Sequence, residues 1–319
     1  MDTQFTALRQ SLAPHYGEGE ARAIAFMLYE DAFGVSRTDI YADKVRQFSE
    51  DERARLNNMC QLLAKGVPVQ YVLGKASFCG HTFAVSPAVL IPRPETEELV
   101  AWATDVARLM PRPEGRPLRL LDAGTGSGCI AVSLKLALPD ADVTAWDISP
   151  EALNVARGNA RTLGADVHFE QRDILAPPDA AACYDIIVSN PPYICECEQS
   201  DMETHVTQHE PHTALFVPDA DPLRFYRALC HHAKTSLSPG GHLLVEINSA
   251  YGPDTARLFT EQGLQHVQLR QDAFGLDRMV GGARSANGLM GCRYHHKHKT
   301  LPIMGATRPP SEFNAKVNR

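Results

Sequence analysis

The sequence lacks the features that direct a chain into or across a membrane. It holds no run of about 18 apolar residues, so we expect no membrane span. Its first five residues carry neither the basic nor the apolar stretch of a secretory signal. None of the eight cysteines is spaced as C-x-x-C, which favours reduced thiols over a disulfide framework. We therefore expect a cytoplasmic protein.

Positive charge is also scarce over most of the chain. The formal net charge is −7 over 319 residues, whereas nucleic-acid-binding surfaces are usually basic, so we expect no stable nucleic-acid partner. Residues 286–319 differ, because they contain six Lys or Arg and only one Asp or Glu and have little apolar periodicity. We predict that this tail is disordered or loosely docked.

Metal-binding patterns are weak in this sequence. Cys195 and Cys197 lie near His205 and His209, but C-x-C is not a common zinc spacing. We therefore predict no metal site.

Two common nucleotide-binding loops are missing. No G-x-x-x-x-G-K-[ST] is present, which excludes a P-loop, and no G-x-G-x-x-G of the nicotinamide type occurs, since Cys129 stands at its third position. Residues 122–128 instead place glycines at alternate positions, which suits a nucleoside without phosphates. Asp147 ends the next predicted strand, where a carboxylate can accept both ribose hydroxyls. The candidate cofactor-binding residues are Asp122, Gly124, Thr125, Gly126, Ser127, Gly128, Asp147, Asp173, Ile174 and Asn190.

From residue 118 the chain alternates between strands and helices. Strands separated by helices imply an α/β fold whose mostly parallel sheet is covered on both faces. The last two strands are joined by a turn alone, which predicts one antiparallel edge. The predicted strands are 118–122, 142–147, 167–171, 184–189, 242–247, 264–270 and 278–280.

The residues before this α/β region have another character. Residues 1–75 are predicted to form a small helical domain for substrate recognition, and Ser49 with Glu52 has the capping-box form of a helix start. Residues 76–87 alternate around a glycine and predict a hairpin linker. The α/β domain is expected to span residues 88–285.

One turn carries most of the expected chemistry. Asn190-Pro191-Pro192-Tyr193 follows the buried strand 184–189, and the two prolines end that strand. Ligands of open α/β sheets bind at this edge. The Asn190 side-chain carbonyl and the Pro191 backbone carbonyl can accept the two hydrogens of an –NH2 group, while Tyr193 offers a flat face. A purely structural proline turn is the alternative. The candidate catalytic residues are Asn190, Pro191 and Tyr193, and the candidate substrate-binding residues are Asn190, Pro191, Pro192 and Tyr193.

These motifs together resemble class I S-adenosylmethionine-dependent methyltransferases. Residues 122–128 are similar to their first motif, Asp147 to their ribose-binding acid, and residues 190–193 to their amino-methylating motif. Residues 67–74, 88–97, 190–194 and 210–211 further resemble the HemK-like family of peptide chain release factor glutamine N5-methyltransferases. The resemblance covers residues 5–283.

The resemblance implies a fold, a cofactor and a substrate. The fold would be a Rossmann-like sheet of seven strands in the order 3-2-1-4-5-7-6, preceded by the small N-terminal helical domain. The cofactor would be S-adenosyl-L-methionine, with S-adenosyl-L-homocysteine as product. The substrate would be the glutamine of the Gly-Gly-Gln loop in class 1 release factors, and we expect a monomeric enzyme.

Other functions remain open from the sequence. A ribosomal-protein glutamine methyltransferase would share the chemistry and most motifs. An N6-adenine nucleic-acid methyltransferase would also use Asn190 to Tyr193, but the acidic balance counts against it. A non-catalytic protein that keeps the cofactor fold is a third alternative. No residue stands out as a strong general base, and Arg93 and Glu95 are expected either to shape the pocket or to serve structure alone.

Overall fold

The computed structural model describes residues 3–43, 47–178, 183–201 and 204–286. The predicted tail therefore lies outside the described residues, apart from Ala286, and the side chain of His205 is also outside them.

The first part of the chain is helical. Helix α1 bends at Gly17, whose φ of 74° interrupts it, and a π-helical turn at Leu28–Ala32 follows. The Ser49 hydroxyl accepts from the Glu52 N–H while the Glu52 carboxylate accepts from the Ser49 N–H, so the predicted capping box forms. The helices are α1 (Thr3–Met27), α2 (Arg37–Tyr41), α3 (Glu50–Ala64) and α4 (Val69–Leu73). Their core holds mainly aromatic and leucine side chains, among them Phe5, Leu12, Leu28, Tyr29 and Leu63.

A short antiparallel hairpin follows the helices. Strands β1 (Lys75–Phe78) and β2 (His81–Ala84) pair with Lys75 opposite Ala84. Asn159 joins this hairpin to the α/β region, because its side chain bonds both the N–H and the carbonyl of Ala84 and also the carbonyl of Ser127.

The α/β region contains a seven-stranded sheet with helices on both faces. Apolar side chains of the strands and of the helices that cover them form two buried layers. One layer contains Trp102 and Ile130, and the other contains Trp146, Tyr226 and Phe259. Its elements are α5 (Pro94–Leu109), β3 (Arg119–Ala123), α6 (Cys129–Ala137), β4 (Asp142–Asp147), α7 (Pro150–Leu163), β5 (Val167–Gln171), β6 (Tyr184–Ser189), β7 (Ile194–Cys195), α8 (Thr204–His209), α9 (His212–Leu215), β8 (Phe216–Val217), α10 (Arg224–Ser236), β9 (Leu237–Glu246), α11 (Gly252–Glu261), β10 (Gln265–Gln271) and β11 (Asp277–Ala283), with 3₁₀ turns at Glu196–Asp201 and Ser249–Tyr251.

The strand order agrees with the prediction. From one edge it runs β5-β4-β3-β6-β9-β11-β10, which is 3-2-1-4-5-7-6 when the seven strands are counted along the chain. The pairs among β5, β4, β3, β6 and β9 are parallel, and β11 is antiparallel to both of its neighbours. The predicted fold class is confirmed.

Strand β9 begins five residues earlier than the sequence predicts. The predicted strand starts at residue 242, yet Leu237 already pairs with Tyr184 and the Gly240 N–H donates to the Arg284 carbonyl. The prediction was wrong because the glycines allow an irregular strand here, with a φ of 77° at Gly240. Two-stranded pairing of β7 with β8 was also not predicted.

Candidate active site

A cavity of about 330 Å³ opens at the carboxyl edge of the central strands. Asn190 lines this cavity together with Gly124 and Asp147, so the proline turn and the glycine loop meet. The other predicted site residues that line it are Thr125, Gly126, Ser127, Asp173, Ile174 and Pro192. Asp122, Gly128, Pro191 and Tyr193 are not among its lining residues.

The loop between β3 and α6 needs glycine where it turns. Gly124 and Gly128 have φ values of 82° and 81°, a region that other L-residues rarely adopt. A Cβ atom on Gly128 would also lie 3.0 Å from the Cβ of Ala156 on α7. The loop therefore packs against α7 in a way that only glycine permits.

Asp122 is a buried carboxylate below this loop. Its Oδ2 accepts from the Thr125 hydroxyl at 2.6 Å and from the Ala131 N–H at 3.1 Å. Its Oδ1 has no hydrogen-bond partner among the described residues. Burial raises the pKa of Asp122 to about 7, although these hydrogen bonds oppose the shift. Asp122 thus ties the loop to the start of α6 from a fully buried position.

Asp147 ends β4 and faces the cavity. Its two oxygens accept the N–H groups of Gly126 and Ser149, at 2.8 and 2.9 Å, which fixes the carboxylate at the loop. Burial raises its pKa, and the same N–H donors act against that increase. The next residue, Ile148, lines the cavity yet leaves 58% of its surface exposed. The sequence analysis did not identify Ile148 as a site residue. Its position directly after Asp147, at the end of the predicted strand, could have indicated it.

Asn190 belongs to a buried chain of hydrogen bonds. Its Nδ2 donates to Thr96 Oγ1 at 3.2 Å, and the Thr96 hydroxyl donates to Glu246 Oε2 at 2.7 Å. The Tyr193 hydroxyl donates to the other oxygen, Oε1, of the same carboxylate at 3.0 Å. Thr96 lies in the first turn of α5 and Glu246 ends β9, so three distant segments converge on the turn.

Glu246 was missed by sequence reasoning. It follows Leu243, Leu244 and Val245 in an apolar run and has only 1% of its surface exposed. Burial raises its pKa, whereas hydrogen bonds from Thr96 and Tyr193 and the charge of Arg278 lower it. Nothing local in the sequence distinguishes it from a strand-end acid at the surface.

Arg93 also has a defined place beside the cavity. Its Nη2 donates to Glu210 Oε1 at 2.6 Å, and Glu210 Oε2 accepts the Ile91 N–H at 3.3 Å. Glu210 is buried, so the pair holds the loop before α5 against the segment between α8 and α9.

The residues that the structure describes contain no cluster of three or more His, Cys, Asp or Glu side chains arranged to hold a metal ion. None of their helices has the length and apolar character needed to cross a membrane.

Comparison with known proteins first gives the class. A family model described as a methyltransferase domain matches residues 115–283, and one described as a PrmC N-terminal domain matches residues 5–74. The methyltransferase model covers the glycine loop, Asp147 and Asn190, so the chain is a methyltransferase.

The particular family follows from similar sequences. The chain is 46% identical over 278 residues to the release factor glutamine methyltransferase of Bacteroides thetaiotaomicron, with 87% of this chain and 98% of that protein covered. The Bacillus subtilis protein of the same name is 38% identical over 304 residues, covering 94% and 100%. The solved structure of the release factor-specific protein-(glutamine-N5) methyltransferase from Alicyclobacillus acidocaldarius is 31% identical, covering 64% of this chain and 99% of that one, with a TM-score of 0.38. The chain belongs to the release factor glutamine methyltransferases, as its motifs predicted.

Proposed function

We propose that this chain transfers a methyl group from S-adenosyl-L-methionine to N5 of the glutamine in the Gly-Gly-Gln motif of class 1 release factors. The proposal depends on one observation, that Asn190 lines the same cavity as Gly124 and Asp147. A nucleoside site and an amide-binding turn then open into a single space, which methyl transfer requires. Membership of the family named above supports the choice of substrate.

The residues around the loop fit the proposed cofactor. A carboxylate has about four acceptor positions, so Asp147 keeps capacity for ribose hydroxyls after accepting two N–H groups. Ile148 and Ile174 offer apolar surface for an adenine, with Asp173 at the same wall. Asp122 supports the loop from below, because its Oδ2 accepts from the Thr125 hydroxyl and the Ala131 N–H. The cofactor supplies an electrophilic methyl on a positively charged sulfur and becomes S-adenosyl-L-homocysteine.

The turn at Asn190 would hold the acceptor amide. An amide nitrogen is a poor nucleophile because its lone pair is delocalised into the carbonyl, so its orientation matters more than its affinity. Asn190 Oδ1 and the Pro191 carbonyl accept its two hydrogens, and Pro192 forms part of the wall. Such positioning can lower the barrier by about 7–11 kcal/mol in the best intramolecular models.

Tyr193 anchors this turn to neighbouring elements. Its hydroxyl bonds Glu246 and its backbone N–H bonds the Leu215 carbonyl, so the aromatic side chain is held under the amide site. The backbone carbonyl of Tyr193 also accepts from Asn248. These contacts fix the turn on β9 and on the segment before β8.

The helical residues 1–75 are the proposed holder of the release factor, with the hairpin 76–87 as linker and residues 88–285 as the methyl-transferring domain. We propose that the enzyme acts as a monomer in the cytoplasm, where release factors work.

One assay tests the proposal. The protein is incubated with methyl-labelled S-adenosylmethionine and, separately, with a release factor, a ribosomal protein and DNA, and the labelled atom is mapped by mass spectrometry. Label on the glutamine of Gly-Gly-Gln, absent when that glutamine is replaced by alanine, is the expected result. Label on the ribosomal protein or on adenine in DNA would instead support one of the alternatives.

A further inference from the structure

We infer that Glu246 is a positioning residue that fixes which end of the Asn190 amide faces the acceptor glutamine. The inference rests on the proposed function, because it concerns how the same turn accepts a substrate –NH2 group. It adds a residue on a strand end whose carboxylate is linked to the Asn190 side chain through Thr96.

The direction of the hydrogen bonds follows from chemistry. Glu246 accepts one hydroxyl on each oxygen, from Tyr193 on Oε1 and from Thr96 on Oε2, so the single hydroxyl hydrogen of Thr96 is directed to Glu246, at 2.7 Å. Thr96 Oγ1 then has only lone pairs to offer Asn190. The Asn190 group that meets it must therefore be the donor Nδ2, at 3.2 Å. Oδ1 is the end that remains for a substrate.

The opposite orientation would be unproductive. An Asn190 side chain rotated by a half-turn would place its own –NH2 against the –NH2 of the substrate glutamine, donor against donor. The cost is that of a polar group left without a hydrogen-bond partner in the site. The methyl acceptor would also lose one of its two proposed hydrogen-bond acceptors.

Burial raises the pKa of Glu246, and three neighbouring groups oppose that increase. Arg278 on β11 contributes positive charge, and the hydroxyls of Thr96 and Tyr193 each donate to one oxygen. Glu95 on α5 acts in the other direction, as does burial. The Tyr226 hydroxyl bonds the backbone carbonyl of Glu246, at 3.3 Å, so the strand end itself is fixed. Because both hydroxyls donate to Glu246, each hydrogen bond in the series from Asn190 through Thr96 to Glu246 has a fixed donor and a fixed acceptor.

Thr96 provides the central test. Thr96→Val removes the hydroxyl while keeping the shape, and Thr96→Ser keeps the hydroxyl. With a release factor as substrate, we expect Thr96→Val to lower kcat by about tenfold or more, because it removes the hydrogen bond that orients the Asn190 amide. Thr96→Ser should stay within about threefold of wild type. Both should bind S-adenosylmethionine, measured by calorimetry, with nearly unchanged Kd.

A matched control is available on α11. Thr255 is fully buried and its hydroxyl finds no hydrogen-bond partner among the described residues. Thr255→Val therefore makes the same chemical change away from the turn. We expect kcat and thermal stability close to wild type, which separates a local effect from a general cost of Thr→Val in this core.

Glu246 itself is tested by a double-mutant cycle. Glu246→Gln leaves one acceptor oxygen for two hydroxyl donors, those of Thr96 and Tyr193. We therefore expect kcat to fall by about tenfold in the wild-type background. If Glu246 acts through Thr96, the same change should cost less than about threefold in a Thr96→Val background. Additive losses, or wild-type kcat in Thr96→Val, would overturn the inference.

The outcomes also distinguish this inference from the proposed function. If label from wild type appears on another substrate and not on the release factor, the proposed function fails, whatever the variants do. If wild type methylates the release factor glutamine and the Thr96 series shows no kcat change, the positioning role alone fails.

Discussion

The backbone N–H of Gly126 donates to Asp147 Oδ2 at 2.8 Å, and this bond connects the glycine loop to the end of the neighbouring strand. The loop and the acid are thus one structural unit, because β3 and β4 are adjacent and parallel in the sheet. A change at Asp147 should alter both the ribose contact and the shape of the loop.

We expect Asp147→Asn to weaken S-adenosylmethionine binding by about 10- to 100-fold, since hydrogen bonds to a charged group contribute about 1.5–3 kcal/mol. An asparagine offers one acceptor atom where Asp147 offers two to Gly126 and Ser149. Isothermal calorimetry gives the Kd directly. Asp142→Asn, at the exposed start of the same strand, is the control and should bind normally. Equal affinities for the two variants would contradict the assigned role.

Gly128 offers a test of the backbone. At a φ of 81° and with Ala156 3.0 Å from its would-be Cβ, Gly128→Ala should destabilise the fold by at least about 1–2 kcal/mol and weaken cofactor binding. Gly158→Ala on α7 is the matched control, because its added Cβ would have no atom within 4 Å outside its chain neighbours and the backbone of its own helix. Alanine there should stabilise by about 0.5–1 kcal/mol. Denaturant unfolding measures both, and a stable Gly128→Ala would show that the loop can rearrange.

The sequence contains enough to predict the parts of the site that are contiguous in the chain. The glycine loop and Asp147 each follow a strand, and parallel strands bring their carboxyl ends to one edge, so their meeting at the cavity was predictable. The same reasoning placed Asn190 there.

Partners from distant segments could not be predicted in this way. Thr96 and Glu246 are 150 positions apart, and Ile91 and Glu210 are 119 apart. Each pairing depends on how α5 and its preceding loop pack on the sheet, which no local pattern encodes. The residue type alone also does not show whether an acidic side chain is buried or exposed. The irregular start of β9 was missed for a related reason, because pairing with Arg284 overrides the turn preference of Gly240.

Asp122 predicts a pH dependence of stability. Its pKa is raised by burial from 3.8 to about 7, so the folded state favours the protonated form. The stabilisation is complete below about pH 4 and is lost progressively as the pH rises to about 7. In the absence of cofactor, wild type should therefore lose stability relative to Asp122→Asn across this range, as measured by chemical unfolding at several pH values. Parallel curves for the two proteins would contradict the prediction.

Asn190→Ala separates chemistry from folding. It removes the proposed Oδ1 acceptor and the donor to Thr96 but touches none of the loop contacts of Asp147. We expect kcat to fall by about 100- to 1,000-fold, comparable to removal of a positioned hydrogen-bonding group in other active sites. The Kd for S-adenosylmethionine should change less than about twofold. Parallel loss of catalysis and cofactor binding would indicate a folding role for this turn.

Asp185 and Arg116 form an ion pair at the amino ends of the central strands, opposite the cavity. Only 3% of the Asp185 side chain is exposed. Burial alone would raise the pKa of Asp185, but hydrogen bonds from Arg116 and Ser238 outweigh it and lower the pKa. The pair therefore stabilises the fold above about pH 3.8 and less so as the pH falls further. Asp185→Asn should cost about 3 kcal/mol of unfolding free energy at pH 7, because it removes the charged partner from a largely buried ion pair. Asp221→Asn, which breaks the exposed pair with Arg227, should cost less than about 1 kcal/mol. Similar losses for the two variants would show that burial does not decide the strength of the first pair.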